Sequence, residues 1–195
     1  MIEVITGPMF SGKTTELLRK VDRLEYGNVN YAIFKPSVDS RYSSQDVVSH
    51  NEKRKKSIVV DNAKDIKNYL DNNKRIKTIA IDEAQFFSKK DKYNIIDLCK
   101  DLELNGYHII INGLDRDYKG EPFGCMPELM AIATKINKLK AVCMYPGCNK
   151  DASYTKKTTE VKKIKNKEIN VELGSDKEFE ANCLKHWKRN NEEKK

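Results

Sequence analysis

The chain has 195 residues, with 37 basic and 29 acidic side chains and a formal net charge of +8. Hydrophobic residues make up 38% and charged residues 34%. No apolar run approaches the ~18–20 residues that span a bilayer, so we expect no membrane protein. The N-terminus lacks a basic region followed by a long apolar stretch, so we expect no signal peptide and a cytoplasmic location. The length predicts one domain with a small appendage.

The net charge bears on the kind of binding partner, and the number of cysteines bears on disulfide bonding. The positive charge is compatible with a phosphorylated substrate or a nucleic acid, but lysine is frequent throughout, which favours a general compositional bias. The chain has five cysteines. An odd number in a cytosolic chain argues against a disulfide framework.

Strands and helices alternate along the first two thirds of the chain. The apolar patterns predict strands at 2–6, 31–34, 58–60, 78–81 and 107–111, and helices at 14–26, 63–70, 93–104 and from Pro127 onward. The polar segment 37–56 is predicted to be a long loop. Such alternation favours a parallel sheet with helical crossovers, in which ligands bind at the carboxyl ends of the strands.

The pattern changes after Lys138. We expect residues 1–138 to form the α/β domain, with its parallel sheet flanked by helices. Apolar and basic residues then alternate, which predicts a small β-rich domain at 139–187. Residues 188–195 are expected to form a basic polar tail.

The octet GPMFSGKT matches the P-loop pattern G-x-x-x-x-G-K-[ST] in full, with a strand before it and an amphipathic helix after it. Its residues are Gly7, Pro8, Met9, Phe10, Ser11, Gly12, Lys13 and Thr14. Glycines let backbone N–H groups converge on phosphate oxygens, the lysine reaches the β- and γ-phosphates, and the threonine can bind Mg²⁺. The octet predicts ATP binding without saying what the phosphate is for.

The stretch TIAIDEAQFF predicts a second part of the same site. An apolar strand that ends in an acidic residue is typical of a Walker B motif, which gives Asp82 a place beside Mg²⁺. Glu83 is placed to take a proton from the nucleophile; the alternative is a surface carboxylate at a strand end. Water as the nucleophile would give an ATPase and a hydroxyl a kinase. Phe86 and Phe87 belong either to the core or to an aromatic pocket.

Two residue pairs near the C-terminus predict a metal site. Cys143 and Cys148 are separated by four residues, and Cys183 and His186 by two. Three thiolates and one imidazole fill the tetrahedral coordination of a structural Zn²⁺. The alternative is two thiol-bearing turns and an exposed histidine. Cys99 and Cys125 lie outside both pairs.

These motifs leave three classes of protein to compare. A guanine-nucleotide switch is disfavoured because no N-K-x-D motif follows. A nucleic-acid-dependent ATPase with a zinc ribbon stays open as the alternative, although 195 residues leave little room for a motor. A small-molecule kinase fits the size best.

The order of the motifs narrows this choice. GPMFSGKTTELLR, KPSVDSRYSSQDVVSH, IDEAQFF, GLDRDYKGEPFG and the two zinc-ligand pairs occur in one order. Together they closely resemble the zinc-containing type II thymidine kinases, a cytosolic family of bacteria and animals. The resemblance covers nearly the whole chain, from about residue 2 to 187.

The resemblance implies transfer of the γ-phosphate of ATP to the 5′-hydroxyl of thymidine, in nucleotide salvage and DNA precursor synthesis. It implies Glu83 as the general base and Asp82 beside the Mg²⁺, and Gln85 as part of the nucleotide site in contact with the sugar. Asp39 and Arg41 match a segment near the sugar and phosphates. The residues that match the walls of the base pocket are Met9, Phe86, Leu114, Tyr118 and Phe123, and the ring of Phe179 is expected to pack on the nucleoside.

The family also implies a loop that closes over the nucleoside, here at about 157–179, and a homotetramer inhibited by thymidine triphosphate. No nucleic-acid partner is expected. Three positions depart from the family pattern: Phe179 replaces a usual Tyr, Tyr118 a common Phe, and Glu52 a frequent Gly. The first two leave open whether deoxyuridine and analogues are also accepted.

Overall fold

The computed structural model describes residues 1–38, 46–48, 54–158, 164–165, 170–171 and 178–192. The strands are β1 Ile2–Thr6, β2 Tyr31–Pro36, β3 Asp46–Val48, β4 Arg54–Lys56, β5 Ile58–Val60, β6 Thr78–Ile81, β7 His108–Gly113, β8 Lys135–Lys138, β9 Ala141–Val142, β10 Asp151–Ala152, β11 Tyr154–Lys157, β12 Ile164–Lys165, β13 Asn170–Val171 and β14 Phe179–Asn182. The helices are α1 Lys13–Tyr26, α2 Ala63–Asn72, α3 Ile95–Leu104, α4 Met126–Ile132 and α5 Leu184–Glu192, with a 3₁₀ turn at Ala84–Phe86.

Six strands form one parallel sheet in the order β5-β2-β6-β7-β1-β8. This confirms the predicted parallel sheet flanked by helices. Helix α1 covers one face through Leu17, Leu18 and Val21. Helices α2, α3 and α4 cover the other face, where the larger core lies. Both central strands that carry site residues, β6 and β7, are therefore buried between two helical layers.

Capping explains where two of the helices begin. Asn62 before α2 accepts hydrogen bonds from two backbone N–H groups, and the Asp65 side chain accepts one in return. Asn94 and Asp97 form the same reciprocal arrangement at the start of α3. These capping boxes satisfy amide groups that the helix itself leaves without partners.

The structure departs from the prediction at two places in the sheet region. The segment 37–56 was predicted to be a loop, but its described part contains the antiparallel pair β3 and β4. Val47 is buried in the core beside α1, and Lys55 lies 3.1 Å from Asp22 of α1. The edge strand β8 was not predicted, because only Ile136 is apolar in its sequence and it is half exposed.

The C-terminal part consists of short antiparallel pairs, β9 with β10, β11 with β14 and β12 with β13, followed by α5. This confirms a β-rich appendage. Helix α5 continues to Glu192, so part of the expected polar tail is helical. The boundaries at 138 and 187 stay predictions. Among the described helices, none has the length and apolar character needed to cross a bilayer.

Candidate active site

The phosphate-loop octet connects β1 to α1 in a glycine-dependent conformation. Gly7 has φ +145, and a Cβ there would lie 2.4 Å from the Leu139 carbonyl oxygen. Gly12 has φ +80 and forms the N-cap of α1. The Lys13 Nζ donates a hydrogen bond to the Pro8 carbonyl at 2.7 Å. The loop thus curves over the positive end of a helix, the usual geometry of a phosphate site.

The Walker B aspartate is linked to the phosphate loop through a residue that no motif indicated. Asn112 of β7 is fully buried, and its Nδ2 donates to Oδ1 of Asp82, which follows β6. The same Nδ2 lies 3.5 Å from the Thr14 hydroxyl. Asn112 therefore brings together the two side chains that the sequence assigned to Mg²⁺. Its place in the apolar strand HIIING gave no functional signal.

Glu83 begins the 3₁₀ turn with the left-handed backbone angles φ 51 and ψ 43. Left-handed angles are uncommon for a residue with a Cβ and often mark functional positions. The fully buried Gln85 donates from Nε2 to the Glu83 carboxylate, and its Oε1 accepts from the Leu114 N–H at 3.1 Å. A Cβ at Gly124 would lie 2.1 Å from the Gln85 carbonyl oxygen. Gln85 is thus held tightly beside Glu83.

The five residues expected to line the base pocket lie in one cluster with Phe179. Met9, Leu114 and Phe179 are buried together, and Tyr118 and Phe123 pack against them. Phe86 joins through an edge-to-face contact with Phe123, with ring centroids 5.8 Å apart. Four separate chain segments therefore meet in one largely aromatic cluster. The neighbouring Phe87 belongs to the main core instead.

Several predicted positions lie outside the described residues. These are Asp39, Arg41 and Glu52, together with most of the segment 157–179. Phe179, at the end of that segment, is described and belongs to the aromatic cluster.

The predicted zinc ligands converge. The four ligand atoms of Cys143, Cys148, Cys183 and His186 all lie within 4.8 Å of one another. The His186 Nδ1 lies 3.4 Å from the Cys143 Sγ and 3.5 Å from the Cys183 Sγ. Tetrahedral zinc with bonds of ~2.3 Å to sulfur and ~2.0 Å to nitrogen places those atoms about 3.5 Å apart. The donor set and its spacing therefore fit a structural zinc ion.

The remaining two cysteines lie in the main core, away from this cluster. The Cys125 thiol donates to the Ala84 carbonyl at 3.0 Å, and burial raises its pKa to about 12. Burial also raises the pKa of the Cys99 thiol well above its ordinary value. Both thiols are therefore uncharged near neutral pH, as expected of structural cysteines.

The C-terminal part contacts the phosphate loop directly. The Met9 N–H donates to the Thr155 hydroxyl of β11 at 3.0 Å, and this contact is buried. Phe10 packs against both the zinc-site cluster and the pocket cluster. The phosphate loop, the aromatic pocket and the zinc site are thus parts of one connected structure.

A parallel sheet with a complete P-loop and an acidic residue ending the neighbouring strand defines a nucleotide-binding protein of the P-loop type. The model of the family "Thymidine kinase" matches residues 1–187, and the chain belongs to this family. The thymidine kinase of Bacteroides thetaiotaomicron is 42% identical over 188 residues, covering 96% of this chain and 87% of that protein. The thymidine kinase of Ureaplasma urealyticum serovar 10 is 42% identical over 190 residues, covering 96% and 82%.

Solved structures similar to this chain include the genome packaging NTPase B204 from Sulfolobus turreted icosahedral virus 2. Its complex with ATP-gammaS has a TM-score of 0.47 and 19% identity, covering 75% of this chain and 76% of that one. Its complex with sulfate has a TM-score of 0.45, 19% identity and coverage of 74% and 75%. This similarity is too low to add to the family assignment.

Proposed function

We propose that this protein is a thymidine kinase that transfers the γ-phosphate of ATP to the 5′-hydroxyl of thymidine. One observation carries the proposal beyond the family match. Met9 lies in the aromatic cluster with Leu114 and Phe179, while Lys13 of the same loop lies at the start of α1. A single loop thus adjoins both the phosphate site and a pocket that suits a planar base.

Phosphoryl transfer requires mainly positioning and neutralisation of charge. Lys13 and the amides of the octet would hold the phosphates, and Thr14 and Asp82 would hold Mg²⁺. The Mg²⁺ ion would supply positive charge to the phosphate oxygens. The Asn112 amide contacts both Asp82 and Thr14, which supports a shared role of these two side chains in holding the ion.

Glu83 is the proposed general base for the 5′-hydroxyl. It lies one residue beyond Asp82, and Gln85 holds its carboxylate. Gln85 also links the proposed general base, Glu83, to the proposed nucleoside pocket, because its Oε1 accepts a hydrogen bond from the Leu114 N–H. The resemblance implied that Gln85 contacts the sugar; we propose that it also orients Glu83.

The base pocket is proposed to bind thymine between aromatic and apolar side chains, with Phe86 and Phe123 at right angles on one side. Phe179 packs in the pocket without the hydroxyl of the usual tyrosine, and Tyr118 brings one instead. The nucleoside panel described below tests whether deoxyuridine is accepted beside thymidine. Asp39 and Arg41 are proposed to lie near the sugar and phosphates.

The zinc site is proposed to fix both ends of the loop that covers the nucleoside. One ligand pair precedes β11 and the other follows β14, which pair with each other. We further propose a cytoplasmic homotetramer inhibited by thymidine triphosphate. Sedimentation velocity tests the oligomeric state, and rates measured with increasing thymidine triphosphate test the inhibition.

A nucleoside panel tests the proposed function. The protein is incubated with Mg²⁺-ATP and thymidine, deoxyuridine, deoxycytidine or deoxyguanosine, and nucleoside monophosphates are separated and quantified. We expect thymidine monophosphate as the main product. ATP hydrolysis stimulated by DNA or RNA, without any phosphorylated nucleoside, would contradict the proposal and favour a nucleic-acid-dependent ATPase.

A further inference from the structure

Trp187 directly follows a proposed zinc ligand and lies in the first turn of α5. The backbone N–H of Trp187 donates to the Cys183 carbonyl at 3.0 Å. Cys183, His186 and Trp187 therefore share one helical turn. Tyr145 stacks on the imidazole of His186, with centroids 4.0 Å apart. A metal ion that binds Cys183 and His186 therefore also fixes the direction in which the Trp187 indole leaves the helix.

The indole reaches a chain segment that lies far away in sequence. Its Nε1 donates to the Tyr118 carbonyl at 3.1 Å. One face of the ring stacks on Tyr154 of β11 at 4.7 Å. Gly120, with φ +85, approaches so closely that a Cβ there would lie 2.9 Å from the indole ring. The indole is therefore packed from two sides and hydrogen-bonded at its edge.

The segment that Trp187 contacts is a closed turn at residues 115–123, beside the aromatic cluster. The Phe123 N–H donates to the Asp115 carbonyl at 3.1 Å, which closes the turn at 115–123. The Asp117 side chain accepts from two backbone N–H groups inside the turn. Tyr118 and Phe123, both within this turn, pack in the pocket cluster. The position of the turn therefore sets the position of two pocket walls.

We propose that Trp187 is a positioning residue that couples the zinc site to the nucleoside pocket by holding the turn at 115–123. The proposal rests on the proposed thymidine kinase function for its kinetic consequence. Cys183 and His186 would hold the ion and so order the first turn of α5. The Trp187 indole, through its bond to the Tyr118 carbonyl, then fixes the turn that carries Tyr118 and Phe123. The bond should therefore favour nucleoside binding and leave ATP binding unaffected.

The variant Trp187→Phe tests the hydrogen bond, because it keeps an aromatic ring for Tyr154 and Gly120 but removes the N–H donor. Loss of one such bond should raise the KM for thymidine about two- to tenfold. The KM for ATP and the zinc content should stay at their wild-type values. The exposed neighbour Lys188 provides the matched control as Lys188→Gln, which should behave as wild type.

Two results would overturn the proposal. One is a thymidine KM in Trp187→Phe equal to that of Lys188→Gln. The other is loss of zinc in Trp187→Phe with both KM values changed together, since that would indicate a general structural role.

A second measurement needs neither a variant nor a substrate. Trp187 is the single tryptophan of the chain, so the intrinsic fluorescence of the wild-type protein reports on this residue alone. Zinc removal with a chelator should shift the emission to longer wavelength as the indole gains contact with water, and zinc addition should reverse it. An unchanged emission would overturn the coupling. This result is independent of the proposed function, which fails separately if the wild type phosphorylates no thymidine.

Discussion

The sheet region, residues 1–138, and the zinc region, residues 139–192, are stabilised in different ways. The sheet region buries large side chains on both faces, among them Phe34, Leu17 and Ile79. In the zinc region the buried cluster consists of three alanines, at 141, 152 and 181, with two of the cysteines. Because hydrophobic stabilisation follows buried apolar area, alanines contribute little. A zinc ion bound by Cys143, Cys148, Cys183 and His186 would supply the stabilisation that this small cluster lacks.

The two regions are proposed to have different roles: the sheet region carries the chemical step, and the zinc region helps to cover the nucleoside. The groups proposed to hold the phosphates and Mg²⁺, and the proposed general base Glu83, all belong to the sheet region. The zinc region supplies Phe179 to the pocket and a hydroxyl to the Met9 N–H. Substitutions at Lys13, Asp82 or Glu83 should therefore alter turnover, whereas substitutions in the zinc region should alter nucleoside binding.

The largest effect should come from Glu83→Gln. This change removes the proposed proton acceptor with little change in size, and a general base contributes about 10²–10⁴-fold to rate. We expect kcat to fall by that factor, with the affinity for ATP, the zinc content and the melting temperature unchanged. Near-normal turnover would remove Glu83 from its role and leave the catalytic base unassigned.

Zinc removal should have the next largest effect. Elemental analysis should find about one zinc per chain in the purified protein. Removing it with a chelator, or substituting Cys143→Ser, should expose residues 139–192 to proteases and raise the KM for thymidine more than Trp187→Phe does. ATP binding, measured by calorimetry, should persist because the sheet region has its own core. The buried core cysteine substituted as Cys99→Ala should retain zinc. Zinc-free protein with the wild-type KM for thymidine would contradict the prediction.

The sequence predicted the sheet region from periodicity and the zinc region from spacing. Buried strands such as β6 are short apolar runs, and α1 presents its apolar side chains at helical intervals. A strand buried on both faces has a continuous apolar run, whereas a helix buried on one face has apolar residues at helical intervals. The two closely spaced ligand pairs predicted the convergence of four ligand side chains that the structure shows, since metal coordination requires those residue types near one another.

What the sequence did not predict depends on tertiary contacts. Asn112 looked like one polar residue in an apolar strand, and only the sheet order brings it between Asp82 and Thr14. Strand β8 has almost no apolar pattern because it lies at an exposed edge of the sheet. Trp187 gave no signal either, because its partner Tyr118 is 69 residues away.

A smaller effect is expected from Gln85→Leu. This variant tests whether Gln85 links the proposed general base, Glu83, to the proposed nucleoside pocket. Leucine has a similar size but leaves the buried Leu114 N–H without its acceptor, which costs about 1–3 kcal/mol. We expect a lower melting temperature and a lower kcat at unchanged zinc content. The exposed Asn68→Leu on α2 is the control and should lie within about 0.5 kcal/mol of wild type. An unaltered kcat in Gln85→Leu would show that Glu83 needs no support from this amide.

The smallest effect concerns His108, at the end of the sheet opposite the site. Its Nε2 is buried without a hydrogen-bond partner among the described residues. Burial lowers the pKa of His108 below the ordinary 6.5, the N-terminal ammonium and Lys20 add to this, and Glu3 opposes it. The unfolded chain therefore binds a proton first as the pH falls, so stability declines below about pH 6.5 and levels off once the folded His108 is protonated. His108→Gln should remove this part of the pH dependence in thermal melts, with zinc release followed in the same samples. If both proteins lose stability in parallel below pH 6.5 while zinc stays bound, the acid sensitivity of the sheet region has another source.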